Sequence, residues 1–240
     1  GRVLIVAGSD SGGGAGIQAD LKTALALGAF SMTAITALTA QNTRGVFGVH
    51  AAPPEFVDQQ IRVCAEDLGV DCVKTGMLHS TEMIQAVAGA LAAAVPDAPI
   101  VCDPVMVAKG GHPLLASDAV DALRSHLVAR AALLTPNLPE AAVLLDHGVD
   151  ARIDSAVEAA QALLGLGPKA VLLKGGHGRE AILRDVLAWR EGDAIRIALF
   201  DSPRIDTAHT HGTGCTTASA IACGVAQGMT PLDAARRALA

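Results

Sequence analysis

Two periods of hydrophobic and polar residues alternate along this chain. Short β-branched and aliphatic runs at residues 3–7, 31–38, 72–74, 100–103, 132–135 and 170–174 read as strands. Alanine-rich stretches with helical spacing separate them, near 17–28, 54–68, 80–94, 116–128, 138–146, 154–165 and 216–227. Strands that alternate with helices in this way predict an α/β fold, a mostly parallel central sheet with helices on both faces. Residues 181–196 are less regular and are expected to supply antiparallel edge strands. Residues 231–240 are amphipathic and carry no cap after Ala240, so the last helix is expected to continue in the natural protein. Nothing resembling a linker, repeat or low-complexity tract interrupts the pattern, which predicts one domain over residues 1–240.

Composition narrows what such a domain does. With 51% hydrophobic and 18% charged residues in a chain of 240, disorder is excluded and one sizeable core is expected. Aromatic residues are only 2% and the net charge is −6, so neither base stacking nor a basic surface is on offer to a nucleic acid. The five cysteines form no CxxC pair, which argues against a disulfide framework or a zinc module. Apolar runs stop short of the ~18–20 residues of a membrane span, and the start of the chain already reads as a strand. A cytoplasmic protein with no membrane partner is expected.

Chemistry collects after the strands. Gly8-Ser-Asp-Ser-Gly-Gly-Gly-Ala-Gly16 follows the first, Gln41-Asn42-Thr43 the second and Gly76-Met77 the third; then come Asp103-Pro-Val-Met106, Asn137-Leu-Pro-Glu140 and Lys174-Gly-Gly-His177. In a parallel sheet the carboxyl ends of the strands share one edge, and ligands bind there. The glycine run contains a GxGxxA pattern, but the second strand ends on Gln41 rather than the acidic residue a dinucleotide site wants. No GxxxxGK[ST] loop is present. Close backbone approach to a small substrate fits the run better, with Asp20 facing that substrate from the first helix. A tight turn is the plain alternative.

Asp103 and Glu140 could together hold a hydrated Mg²⁺, which takes one or two carboxylates plus substrate phosphates. Glu140 could equally be a favourable first-turn charge beside Asn137. Lys174 suits phosphate oxygens, although a solvated surface lysine would look the same. His209 and His211 form an HxH pair without a third ligand nearby, which suits loop positioning better than metal binding. The most informative segment is Asp206-Thr-Ala-His-Thr-His-Gly-Thr-Gly-Cys-Thr216, where Gly212-Thr213-Gly214 runs into a helix of small apolar residues. Backbone N–H groups and the helix start converge there into an anion site. Cys215, at the first turn, is expected to have a lowered pKa and to be partly thiolate near neutrality.

Taken together, the Ala7-Gly-Ser-Asp-Ser-Gly-Gly-Gly-Ala-Gly-Ile-Gln-Ala-Asp20 segment, Thr33 to Thr43, Gly76-Met-Leu78, Asp103-Pro-Val-Met106, Thr135 to Glu140, Lys174 to His177 and His209 to Cys215 resemble the hydroxymethylpyrimidine/phosphomethylpyrimidine kinases of thiamine biosynthesis. These belong to the ribokinase-like superfamily, and the resemblance runs in order along essentially the whole chain. It implies ATP and Mg²⁺, a homodimer, and two successive phosphorylations of a small-molecule substrate, hydroxymethylpyrimidine and then its phosphate. By the same resemblance Gln41 bonds the pyrimidine edge, Gly8 and Met77 pack around the ring, and Asp20 lies near the hydroxymethyl group. Asp103, Asn137, Glu140 and Lys174 serve Mg²⁺ and the ATP phosphates. Gly212, Thr213, Gly214 and Cys215 form the anion hole, with Cys215 accepting or positioning the hydroxyl proton. A pyridoxal kinase of the same branch and a non-catalytic pyrimidine-binding regulator are the competing readings.

Overall fold

The computed structural model describes residues 1–107, 114–150, 152–176, 181–207 and 209–240. His177, which closes the lysine motif above, and Ala208 lie outside the described residues. One sheet contains β1 (Arg2–Asp10), β2 (Phe30–Asn42), β3 (Gly45–Ala51), β4 (Cys72–Thr75), β5 (Ile100–Cys102), β6 (Leu133–Leu134), β7 (Ala170–Leu173), β8 (Ile182–Glu191) and β9 (Ala194–Pro203). The helices are α1 (Gly16–Ala26), α2 (Pro54–Leu68), α3 (Thr81–Ala94), α4 (Val120–His126), α5 (Leu138–Leu145), α6 (Ile153–Leu164), α7 (Thr213–Ala226) and α8 (Pro231–Ala238). Strand order is β3-β2-β1-β4-β5-β6-β7-β8-β9. The strands from β2 to β7 in that order are parallel, while β3 pairs antiparallel with β2 at one edge and β8 pairs antiparallel with both β7 and β9 at the other.

Each central strand divides its side chains between two cores. Leu4 and Val6 of β1 enter one, with Val73, Cys102, Leu134 and Val171. Val3, Ile5 and Ala7 enter the other, with Cys72, Val101, Leu133 and Leu172. Helices α2 to α6 cover the first face, and α1, α7 and α8 cover the second. Burial on both faces is why these strands read as unbroken apolar runs.

The expected architecture is present, with local differences. β2 continues past Leu38 to Asn42 and turns back as a hairpin with β3. The pattern did not announce β3, because its side chains are exposed or half-buried on both faces and so show no alternation. The irregular segment after residue 181 is a β8–β9 hairpin reaching Pro203. The helix near 116–128 is a short α-helix between 3₁₀ turns at Ser117–Ala119 and Val128–Arg130. The parallel register, Val6 beside Thr75, Thr75 beside Cys102 and Cys102 beside Leu134, delivers Gly8, Gly76, Asp103 and Thr135 to one edge.

Candidate active site

At that edge lies a cavity of about 940 Å³. Gly8, Gln41, Met77, Asp103, Asn137, Glu140, Lys174, Gly212, Thr213, Gly214 and Cys215 all line it. One predicted residue does not. Asp20 is fully buried on α1, where it pairs with Lys74 Nζ at 2.9 Å and accepts the Ser219 hydroxyl at 2.7 Å. A carboxylate so enclosed and so fully bonded has no oxygen to offer a substrate, so the expected contact with the hydroxymethyl group is corrected.

Gly212 caps α7 in the left-handed region, at φ 83° and ψ −1°. A Cβ there would overlap the Gly14 carbonyl oxygen, so only glycine lets the two loops meet backbone to backbone. No side chain caps α7. Thr213 turns its hydroxyl back to the Thr210 carbonyl at 3.1 Å, and Thr216 N–H closes the first turn on Gly212 at 2.9 Å. That leaves the N–H groups of Gly214 and Cys215 among the helix-start donors with no carbonyl one turn behind them. Such donors, with the helix dipole, favour an anion.

Cys215 does not behave as its position at the helix start predicted. Burial is the largest influence, and with Asp20 and Asp103 it pushes the thiol up to about 11, although Lys74 and the Gly16 N–H pull the other way. Shelter from water outweighs the helix start here, and the resting side chain is a neutral thiol.

Asp10, which the sequence did not single out, organises the glycine run. Its carboxylate accepts N–H groups from Gly12 at 2.8 Å, Gly14 at 3.1 Å and Ala15 at 2.8 Å, and it meets His211 Nε2 at 2.8 Å. Burial opposes its charge, but the His211 bond and the backbone donors prevail and hold the carboxyl below its usual range. His211 thus ties the glycine run to the segment before α7, while His209 is exposed. Among the described residues no group of three or more His, Cys, Asp or Glu is placed to hold a metal.

Across the cavity, Asp103 accepts Lys174 Nζ at 3.1 Å and the Thr135 hydroxyl at 3.0 Å. Asn137 and Glu140 form a capping box on α5: Asn137 Oδ1 takes the Glu140 N–H and Glu140 Oε2 takes the Asn137 N–H, both at 2.9 Å. The local capping explanation is therefore real, yet Glu140 also lines the cavity. Burial, reinforced by Asp103, pushes its carboxyl up to about 7 against the pull of Lys174. Two buried carboxylates facing one lysine leave negative charge uncompensated, which fits a bound cation. Asp185 steadies the loop after Lys174 by accepting the Gly175 N–H at 2.7 Å.

At the other end Ser11 accepts the Gln41 N–H, and Thr39 donates its hydroxyl to Gln41 Oε1 at 3.1 Å. The Gln41 Nε2 donors have no partner among the described residues. Met77 lies against Gly8, where a Cβ would come within 2.5 Å of the methionine methyl. An amide donor beside an apolar wall suits a flat heteroaromatic ring.

Residues 10–240 match the model of a family described as phosphomethylpyrimidine kinase. The chain belongs to that family. It is 51% identical to the hydroxymethylpyrimidine/phosphomethylpyrimidine kinase of Streptomyces coelicolor over 98% of this chain and 85% of that one. Its fold is that of phosphomethylpyrimidine kinase from Clostridium difficile, with a TM-score of 0.84 and 37% identity over 99% of this chain and 95% of that one. It is also that of a pyridoxal kinase from Bacillus subtilis solved with ADP, at a TM-score of 0.88 and 33% identity over 99% and 88% of the two chains. The architecture of this phosphomethylpyrimidine kinase family member is ribokinase-like.

Lys74 escaped the sequence reading. Its signal was a lysine inside an otherwise buried, apolar strand, which demands a counter-charge.

Proposed function

We propose that this chain transfers the terminal phosphoryl group of ATP to hydroxymethylpyrimidine, and then to the resulting monophosphate, for thiamine biosynthesis. Family membership makes it a phosphotransferase. The observation that carries the fuller reading is a single cavity with an amide and an apolar wall at one end and an open helix start, a lysine and two carboxylates at the other. Gln41 donates to a ring nitrogen, and Gly8 with Met77 brackets the ring face. The N–H groups of Gly214 and Cys215 and the Lys174 ammonium meet the charge that spreads over the phosphoryl oxygens in a loose transition state. Asp103 and Glu140 would hold Mg²⁺, which when bound neutralises phosphate charge, and Asn137 donates to a phosphate oxygen. Cys215, a neutral thiol at rest, gives its proton to solvent before transfer, and the resulting thiolate positions the substrate hydroxyl and accepts its proton late.

The same reading includes one domain, a homodimer and a cytoplasmic setting. A sheet that runs uninterrupted from β3 to β9 supports the first. Exposed Leu38, Phe47 and Val49 on the β2–β3 hairpin support the second. Five unpaired cysteines support the third. No described helix is long and apolar enough to cross a membrane, and the charge of −6 gives no basis for nucleic-acid binding.

A coupled assay of ADP release with hydroxymethylpyrimidine, its monophosphate and pyridoxal tests the proposal. Turnover with the first two supports it. Turnover with pyridoxal alone would move the assignment to the second reading, which the likeness to the Bacillus subtilis enzyme favours.

A further inference from the structure

Beneath the cavity lies a charge assembly that the mechanism above does not use. Lys74, on β4, is fully buried, yet its Nζ reaches the cavity floor close to Gly76. It binds both Asp20 oxygens, at 3.1 and 2.9 Å, and Asp20 accepts the Ser219 hydroxyl at 2.7 Å. Ser219 follows Cys215 by one turn of α7, so the two project from the same face of that helix. Three elements, β4, α1 and α7, are thus joined by one polar cluster, one helical turn along α7 from the thiol.

We propose that Lys74, aimed and fixed by Asp20 and Ser219, is a positioning residue whose permanent positive charge next to Cys215 favours the thiolate that accepts the substrate hydroxyl's proton. The inference deepens the kinase reading and rests on it for its functional half. Burial works against the Lys74 charge, but Asp20 above all, with Asp103, outweighs it and keeps the ammonium protonated. Of the charged groups around Cys215, Lys74 draws its pKa down most, while Asp20 and Asp103 push it up. Lys174 also faces the thiol from the end of β7, and Gly16 offers its N–H from α1. Asp20 therefore does two opposed things. It holds the lysine in place and partly masks it.

That opposition supplies a test that a merely structural tie would not pass. Cys64 and Cys215 are the cysteines not fully buried, so the measurement is made in a Cys64→Ser background. Alkylation of Cys215 by iodoacetamide is followed by peptide mass spectrometry from pH 7 to 11. Asp20→Asn unmasks the cation and is expected to speed alkylation at pH 8 about tenfold, equal to about one pKa unit. The double variant Lys74→Met/Asp20→Asn leaves no unpaired charge and keeps the proposal testable if a single variant does not fold. It is expected to alkylate about threefold more slowly than the parent and to lose about 100-fold in kcat with little change in KM for the pyrimidine. Alkylation at the parental rate in every folded variant would overturn the proposal. If the parent makes no pyrimidine-dependent ADP while the alkylation order holds, the kinase reading fails and the electrostatic assignment stands.

Discussion

Two glycine-rich loops lead into helices on the same face of the sheet, and they are satisfied in opposite ways. Before α1, the N–H groups of Gly12, Gly14 and Ala15 all close on the Asp10 carboxylate. Before α7 no side chain caps the helix, and Gly214 and Cys215 keep their donors toward the cavity. The first loop carries its own anion; the second is built to receive one. Glycine content alone does not separate these cases. What separates them is whether an acidic residue sits where the loop can fold around it, as Asp10 does and as nothing does between Thr210 and Cys215.

The comparison breaks most readily at Gly212. Its positive φ and the neighbouring Gly14 carbonyl admit no side chain. Gly212→Val is expected to lower kcat/KM by on the order of 100-fold, about what the loss of one preorganised donor costs. Far-UV circular dichroism should still show a folded α/β protein. Near-normal turnover in this variant would remove the α7 start from the chemistry.

Asp10→Ala attacks the other loop. It orphans backbone donors and the His211 ring together, and ~2 kcal/mol of stability should be lost, roughly 4–8 °C in Tm for a chain of this size. Asp10→Asn measures the charge itself. Because the folded carboxyl is held below its usual range, its stabilisation is present above about pH 4 and is lost as pH falls through the depressed value. The Tm gap between the wild type and Asp10→Asn should therefore be constant from pH 5 to 7 and close below pH 4. A gap that widened in acid would contradict the assignment.

Cys215 sharpens the contrast from the alkaline side. Its folded pKa lies above that of an unfolded thiol, so its contribution is present below about pH 8.5 and is lost as pH rises toward 11. Cys215→Ser should flatten part of that alkaline decline in thermal melts. The smallest effect is expected at Ser80, whose hydroxyl accepts the Met83 N–H and caps α3 in the ordinary way. Ser80→Ala should cost ~1 kcal/mol with turnover unchanged, because that helix start serves only the fold.

Much of the molecule was legible before any coordinates. The central strands announced themselves because two-sided burial forces consecutive apolar residues, and their carboxyl ends located the site. β3 was not legible, since an edge strand exposed on both faces has no hydrophobic period. At the site, residues held by a backbone turn or a strand end could be placed on the cavity wall from the sequence: Gly212, Gly214, Asp103, Lys174 and Gln41. Residues whose role depends on a distant partner were not. Asp10 needed His211, 201 positions away, and Asp20 needed Lys74 and Ser219. Without Lys74 in view Asp20 looked like a substrate ligand, and without the depth of the pocket Cys215 looked like a thiolate.

The most direct measurement is the amide response of the two loops to an anion, recorded by ¹H–¹⁵N NMR as ADP and then inorganic phosphate are titrated into the protein. The Gly214 and Cys215 amides should shift with saturation while those of Gly12 and Gly14 stay in place. Movement of Gly12 and Gly14 with Gly214 and Cys215 unchanged would contradict the division of labour between the loops and the placement of the transfer centre.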